Sequence, residues 1–234
     1  MSGVPLILGI DSSTQSTKVE ARELESGALI GSGRAPHPTV SPPVSEQPPD
    51  AWWQALVAAV GQLGPIRDDV VALSIAGQQH GLVLVDDVGG VVRPAKRWND
   101  TTSAPQAARL VAERGASWWA QACGSVPVAA FTVSKLAWVA SNEPDSLDRT
   151  ARVMLPHDYL TWRVTGRHVT DRGDASGTGW FDPATDRYLS RQLEAAAPSI
   201  TVDQLPSVVG PSDAVGTLTG DAARALGLAP GVVV

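Results

Sequence analysis

The sequence predicts an α/β domain built on a five-stranded mixed sheet, its first three strands antiparallel, flanked by helices. Two observations carry this. An apolar run, Leu6 to Ile10, is joined through the hydroxyl-rich stretch "DSSTQST" to an alternating segment, Lys18 to Glu23, and then through Glu25-Ser26-Gly27 to a third segment, Ala28 to Gly33. Period-two runs separated by short polar turns make an antiparallel meander. Farther on, β-rich apolar runs give way to segments of helical apolar spacing, the pattern of helices laid against a sheet.

The elements follow in order. The stretch "APHPTVSPPVSEQPPD" holds six of the 18 prolines and cannot be a regular element, so it is an extended connection. Asp50 is placed to cap the helix that follows, in which Trp53, Leu56, Val57 and Val60 recur at helical spacing. Val70 to Ala76 is an apolar strand ending in Gly77, and after "QQHG" a further strand runs from Leu82 to Asp86 and turns at "DDVGG". Helical spacing then covers Ala104 to Arg114 and Ser134 to Ser141, a short helix starts at Asp158 and closes at Gly166, and another spans Ala222 to Leu226. The final "GLAPGVVV" reads as the opening of a strand.

Composition excludes several function classes. A chain of 234 residues, 43% hydrophobic, can bury a full core, and its 18 Lys+Arg against 24 Asp+Glu leave a net charge of -6. That balance lacks the basic excess that neutralises the phosphates of a nucleic acid or an anionic membrane surface. One cysteine, Cys123, allows neither an internal disulfide nor a cysteine-based metal site. The N-terminus lacks a basic n-region, and no later stretch approaches the roughly 20 apolar residues of a membrane span. The expectation is a soluble, cytoplasmic protein, with a homodimer left open.

The segment Asp11 to Lys18 packs one acid, six short hydroxyl or amide residues and one lysine directly behind a strand. Phosphate groups are held by backbone N–H groups in turns, by short hydroxyls and by lysine, and an acid at a strand end can hold magnesium through water. No glycine-rich P-loop is present. Taken alone, the segment reads more readily as a plain Ser/Thr-rich hairpin.

Seven segments, in order along the chain, resemble the landmarks of the FGGY carbohydrate kinases: "GIDSSTQSTK" the first phosphate motif, "PPDAWWQAL" a helix start, "SIAGQQHGLVLVD" the sugar-contacting loop, "RWND" the next loop, "FTVSKLAWV" with "NEP", "LPHDYLTWRVTG", and "VTDRGDASGTGWFD". Gln79-His80 is similar to the pentulose kinases of that family, xylulose kinases above all, where glycerol kinases carry an Arg-Glu pair. The chain departs from the family at Ser13, where glycine is usual, and at Thr101-Thr102, and it matches only partly around Ala130 and Ser141.

The resemblance implies a ribonuclease H-like fold of the actin-like ATPase superfamily, with residues 1–234 as the N-terminal sugar-binding domain. A C-terminal nucleotide-binding domain and the catalytic aspartate that acts as general base would follow Val234. It implies phosphoryl transfer from ATP with Mg2+ to a small-molecule sugar, most closely D-xylulose, with ribulose, gluconate or another polyol as alternatives. By this resemblance Asp11 orients magnesium-bound water, Ser13, Thr14 and Lys18 donate to phosphate oxygens, and Gln79, His80, Trp98, Asn99 and Asp100 contact the sugar. A stand-alone actin-like or sugar-binding module without catalysis is the competing class. His37, His157 and His168 read as structural, the pairs Trp52-Trp53 and Trp118-Trp119 as packing residues, Asp171 and Asp174 as turn or cap residues at least as readily as ligands, and Cys123 receives no role.

Overall fold

The computed structural model describes residues 3–234. Its central sheet has the order β3-β2-β1-β5, formed by β1 (Leu6–Ser12), β2 (Ser16–Glu23), β3 (Leu29–Pro36) and β5 (Val70–Gly77). β1 pairs antiparallel with β2 and parallel with β5, and β2 pairs antiparallel with β3. Four regular strands therefore stand where five were expected. The fifth position, on the free edge of β5, is held by a single parallel bridge from Val233 to Ala72, with Val233 N–H donating to Val71 at 3.0 Å. The third strand runs on to Pro36 because it is an edge strand, where a missing N–H costs no ladder bond.

Alternation sets the two faces of this sheet. Leu6, Leu8, Ile10, Val19 and Ala21 point to one side and are buried against Trp52, Ala55, Leu56, Ala59 and Val60 of α1 (Pro49–Gly61). Gly33 makes the close approach to α1 possible, since a Cβ there would lie 2.0 Å from the Ala59 carbonyl oxygen. On the other side, Asp11 pairs across to Lys18, Lys18 to Arg34, and Asp11 to Ala76, so the chemistry of the first hairpin lies on one row of an exposed face. Asp50 does not cap α1. The N-cap is Pro48, which offers no side-chain acceptor, and the Asp50 carboxylate instead accepts from Tyr159 Oη at 2.8 Å and from Arg163 at 2.5 Å.

A two-residue strand, β4 (Glu46–Gln47), precedes α1 and pairs with β7 (Ala95–Lys96), which follows β6 (Val83–Val85). Helices α2 (Ala104–Arg114), α3 (Ala116–Cys123), α4 (Thr132–Asn142) and α5 (Pro144–Asp148) then lead to β8 (Arg152–Met154), which pairs with β6. With α8 (Ser190–Ala196) they enclose a second core around Leu84, Leu110, Trp119, Leu136, Trp180 and Leu193. α6 (Pro156–Thr165) starts two residues before Asp158, which serves it from inside the first turn by accepting the Leu155 N–H at 2.7 Å, and it ends in left-handed Gly166. β9 (Val169–Asp171), the five-residue α7 (Arg172–Ser176), β12 (Ser207–Val209) paired to β9, and α9 (Gly220–Leu226) complete the parts used below. Among the described residues no helix is long and apolar enough to cross a membrane.

Candidate active site at the hairpin tip

The turn between β1 and β2 is closed by Ser13, whose N–H and Oγ both donate to the Ser16 carbonyl, at 3.1 and 3.2 Å. Behind it, Thr17 Oγ1 lies 3.3 Å from Ser12 Oγ and 2.9 Å from His37 Nε2 in a buried cluster. That inward set fixes the turn and leaves the opposite row facing solvent. There Lys18 Nζ is 3.8 Å from Asp11 Oδ2, with both side chains about half exposed. A pair so exposed adds little to stability, which leaves both groups available to a ligand.

The loop after β5 is anchored where Gln78 N–H donates to the Ser12 carbonyl at 3.1 Å. Gln78 is buried, Gln79 is exposed, and His80 adopts φ +60°. Left-handed backbone costs a non-glycine residue about 1–2 kcal/mol and concentrates where function demands a fixed side chain. The His80 ring packs at 5.2 Å from Phe131 and lies against Gly177, where an added Cβ would come within 2.0 Å of Cε1. Burial and the nearby Lys135 charge lower the His80 pKa, only partly offset by Asp174 and the Gly177 backbone, so the imidazole is neutral at pH 7. Its Nδ1 is buried without a hydrogen-bond partner.

From the third segment, Trp98 is 44% exposed and donates from Nε1 to Thr14 Oγ1 at 3.0 Å, joining the "RWND" loop to the hairpin tip. Ser13, Thr14, Gly77, Gln78, Gln79, His80 and Trp98 together line an open hollow of about 400 Å³. A flat indole beside convergent amide and imidazole groups suits a small polyhydroxylated molecule, whose C–H face stacks while its hydroxyls are read.

Two expected members of the hollow lie elsewhere. Asn99 Oδ1 accepts from Ser45 Oγ at 2.7 Å, and Asn99 lines an adjacent hollow with Arg34, His37 and Arg97. Asp100 is turned fully inward: its carboxylate accepts from Ser45 N at 2.7 Å, from Thr102 N at 3.0 Å and Oγ1 at 2.5 Å, and pairs with Lys96 Nζ at 3.3 Å. Lys96 in turn meets Glu46 at 2.8 Å and sits 3.6 Å over the Trp138 ring. Burial works to raise the Asp100 pKa, but the Thr102 hydroxyl, the Ser45 N–H and the Lys96 ammonium outweigh it and keep the group ionised. Asp100 thus holds the loop together and does not present its carboxylate to the hollow.

Sequence reading missed Gln78 and Arg97. Arg97 is 2% exposed and donates from Nε to Gln78 Oε1 at 3.1 Å and from Nη2 to the Thr14 carbonyl at 2.8 Å. The arginine directly before Trp98 was the available signal.

A second polar cluster lies below the end of β5. His157 Nδ1 is 2.7 Å from Asp174 and 3.3 Å from Asp158, and Nε2 is 3.3 Å from Asp171. One ligand atom from each of His157, Asp171 and Asp174 can be chosen within 4.8 Å of the others, a donor set that could hold a cation. Because carboxylates already face both ring nitrogens, a protonated imidazolium fits the arrangement better than a metal. Asp171 also caps α7, accepting the Asp174 N–H at 3.0 Å, in the role the sequence suggested.

Residues 6–234 match the N-terminal domain of the FGGY family of carbohydrate kinases. The chain is 48% identical over 215 residues to a xylulose kinase of Streptomyces rubiginosus, covering 92% of this chain and 44% of the relative. It is 45% identical over 251 residues to a xylulose kinase of Streptomyces coelicolor, covering 98% and 52%. The crystal structure of a xylulose kinase from Bifidobacterium adolescentis superposes with a TM-score of 0.81 at 40% identity, over 90% of this chain and 48% of that one. The chain spans about half the length of the curated relatives it matches. The order of the motifs, the mixed sheet with its hydroxyl-rich first hairpin, and these matches lead to one conclusion: the chain belongs to the FGGY family of carbohydrate kinases.

Proposed function

We propose that this chain is the sugar-binding part of an ATP-dependent pentulose kinase that converts D-xylulose and ATP to D-xylulose 5-phosphate and ADP. The observation that carries the reading is the meeting of Gln79, His80 and Trp98 with the hairpin tip, Ser13 and Thr14, in one open hollow. A kinase needs its acceptor hydroxyl and its phosphate site side by side, and that is what this hollow offers. The xylulose kinases among the relatives support the choice of sugar.

In this reading the neutral His80 imidazole and the Gln79 amide hydrogen-bond the sugar hydroxyls while Trp98 covers a C–H face. Thr14 and Lys18 donate to phosphate oxygens, and Ser13 does so once its hydroxyl turns away from the Ser16 carbonyl; Asp11, an exposed carboxylate beside Lys18, would hold magnesium, which would neutralise phosphate charge. Magnesium ATP supplies the phosphoryl group.

The test is a coupled ADP-release assay on the kinase that contains this chain, with D-xylulose, D-ribulose and gluconate, beside calorimetry of sugar binding to residues 1–234. D-xylulose should be the preferred acceptor. His80→Ala should abolish measurable binding, and binding unchanged by that substitution would remove His80 from the site.

A further inference from the structure

We propose that His157 is a positioning residue for His80, clamping the short helix α7 between β9 and the end of β5 so that Gly177 seats the His80 ring against the sugar hollow. The inference rests on the pentulose-kinase reading for its effect on sugar, but the geometry stands apart from it.

Three contacts make the chain of action. First, α7 has only five residues, too few to hold a helix by its own hydrogen bonds. It is fixed at its start by the Asp171 cap and, through Asp174, by His157 Nδ1 at 2.7 Å, while His157 Nε2 lies 3.3 Å from Asp171 itself. Second, His157 stands at the first turn of α6, in direct contact with the strand that leads into the sugar loop: a Cβ added to Gly77 would lie 2.7 Å from His157 Cβ and 3.1 Å from its Cα and N. Third, the residue that follows α7 is Gly177, and a Cβ there would lie 2.0 Å from His80 Cε1 and 2.3 Å from Nδ1. The strand end that carries the loop thus rests on the Cβ and backbone of His157, while its imidazole reaches α7 through Asp174, so one residue links the two.

The charges explain why a histidine at this point is strongly held. Asp158 from α6, Asp171 from the end of β9 and Asp174 from α7 surround a ring whose side chain is 10% exposed, and Asp213, from the loop after β12, lines with His157 and Asp171 a separate hollow on this side of β5. Burial by itself would lower the His157 pKa, but Asp158, Asp174 and Asp171 together hold it at about 9. The ring is therefore an imidazolium through the neutral range and supplies the countercharge that Asp158, Asp171 and Asp174 share. Among the described residues no lysine or arginine pairs with Asp158, Asp171 or Asp174, so a neutral side chain at 157 leaves them to repel one another.

The experiment uses residues 1–234 labelled with 15N-histidine, comparing wild type with His157→Gln, His157→Lys and Asp174→Asn. The readouts are the His80 ring resonances and the dissociation constant for D-xylulose. His157→Gln and Asp174→Asn should both move the His80 resonances and weaken D-xylulose binding by about ten- to 10²-fold, the scale of a buried hydrogen bond left misaligned. His157→Lys restores a cation among the carboxylates and should return both readouts toward wild type. His80 resonances unmoved in both the Gln and Asn variants would overturn the clamp, and Asp174→Asn decides this even where His157→Gln does not fold. A Lys variant that behaves as the Gln variant would overturn the charge argument. Should wild type bind no pentulose while the His80 resonances still respond, the kinase reading falls and the clamp stands.

Discussion

Arg97 donates through Nη2 to the backbone carbonyl of Thr14 at 2.8 Å, across 83 residues of chain, and through Nε to Gln78. One buried guanidinium therefore ties the tip of the phosphate hairpin to the root of the sugar loop. Burial lowers its pKa, and no carboxylate among the described residues pairs with it. Arg97→Met sets two effects against each other. Leaving Gln78 Oε1 and the Thr14 carbonyl unpaired costs about 1–3 kcal/mol each, while removing an uncompensated buried charge relieves a penalty of several kcal/mol. The expected outcome is a melting temperature within about 5 °C of wild type together with a clear loss of pentulose affinity, since hairpin and loop are no longer held in register. Differential scanning calorimetry beside sugar titration checks this, and a large fall in melting temperature with affinity intact would contradict it.

Asp100 offers the sharpest separation between a binding and a structural role. Its side chain is fully buried, as is that of Lys96, and the pair is linked to Glu46 and Thr102. Removing one member of a buried ion pair typically costs about 3–5 kcal/mol because the partner charge stays behind. Asp100→Asn should therefore lower the unfolding free energy on that scale, and any loss of pentulose affinity should follow the fraction unfolded. An Asn variant as stable as wild type but deficient in sugar binding would return Asp100 to the site. Urea denaturation monitored by tryptophan fluorescence gives the stability, and titration at low temperature gives the affinity.

The placement of Asp100 shows where reading a sequence runs out. The Leu6 to Ile10 strand and the alternation of β2 are local patterns, and the hairpin that sets Asp11 opposite Lys18 follows from them. Residues 104–114 and 134–141 carry helical spacing that their neighbours do not contradict, and both are helices. Asp100 also sits in a local motif, but its direction is decided by Ser45, 55 residues away. Gln78 and Arg97 look like ordinary polar residues until the loop and the hairpin tip are brought together. Asp50 has the right type and position for a cap, yet Pro48-Pro49 sets the helix start two residues earlier and frees its carboxylate for Tyr159 and Arg163. The short helices α3 and α8 carry too few turns for periodicity to stand out from composition. What was legible depends on neighbours in sequence, and what was not depends on charge partners supplied by the fold.

The pH dependence of stability separates two buried cations that titrate in opposite senses. His157, held at about 9 by its three carboxylates despite burial, lies above the roughly 6.5 of an unfolded histidine. Its contribution is complete below about pH 6.5 and is lost as pH rises through about 9. Lys135 is fully buried with Nζ on the Ala129 and Ala130 carbonyls, and burial lowers its pKa to about 7, Asp100 raising and Lys96 lowering it further. Between about pH 7 and the roughly 10.4 of an unfolded lysine, the unfolded chain binds the extra proton, so Lys135 makes the fold more stable as pH rises. The two slopes largely cancel in the wild-type protein, and each is exposed only by difference. The stability gap between wild type and His157→Gln should narrow by about 2–4 kcal/mol from pH 6.5 to 9.5, since each unit of pKa shift is worth about 1.4 kcal/mol. The gap between wild type and Lys135→Met should move the other way over the same range. Urea midpoints for the three proteins at pH 6.5, 8 and 9.5 decide it: a wild-type-to-His157→Gln difference that stays constant across the range would mean that His157 is not an imidazolium in the folded protein.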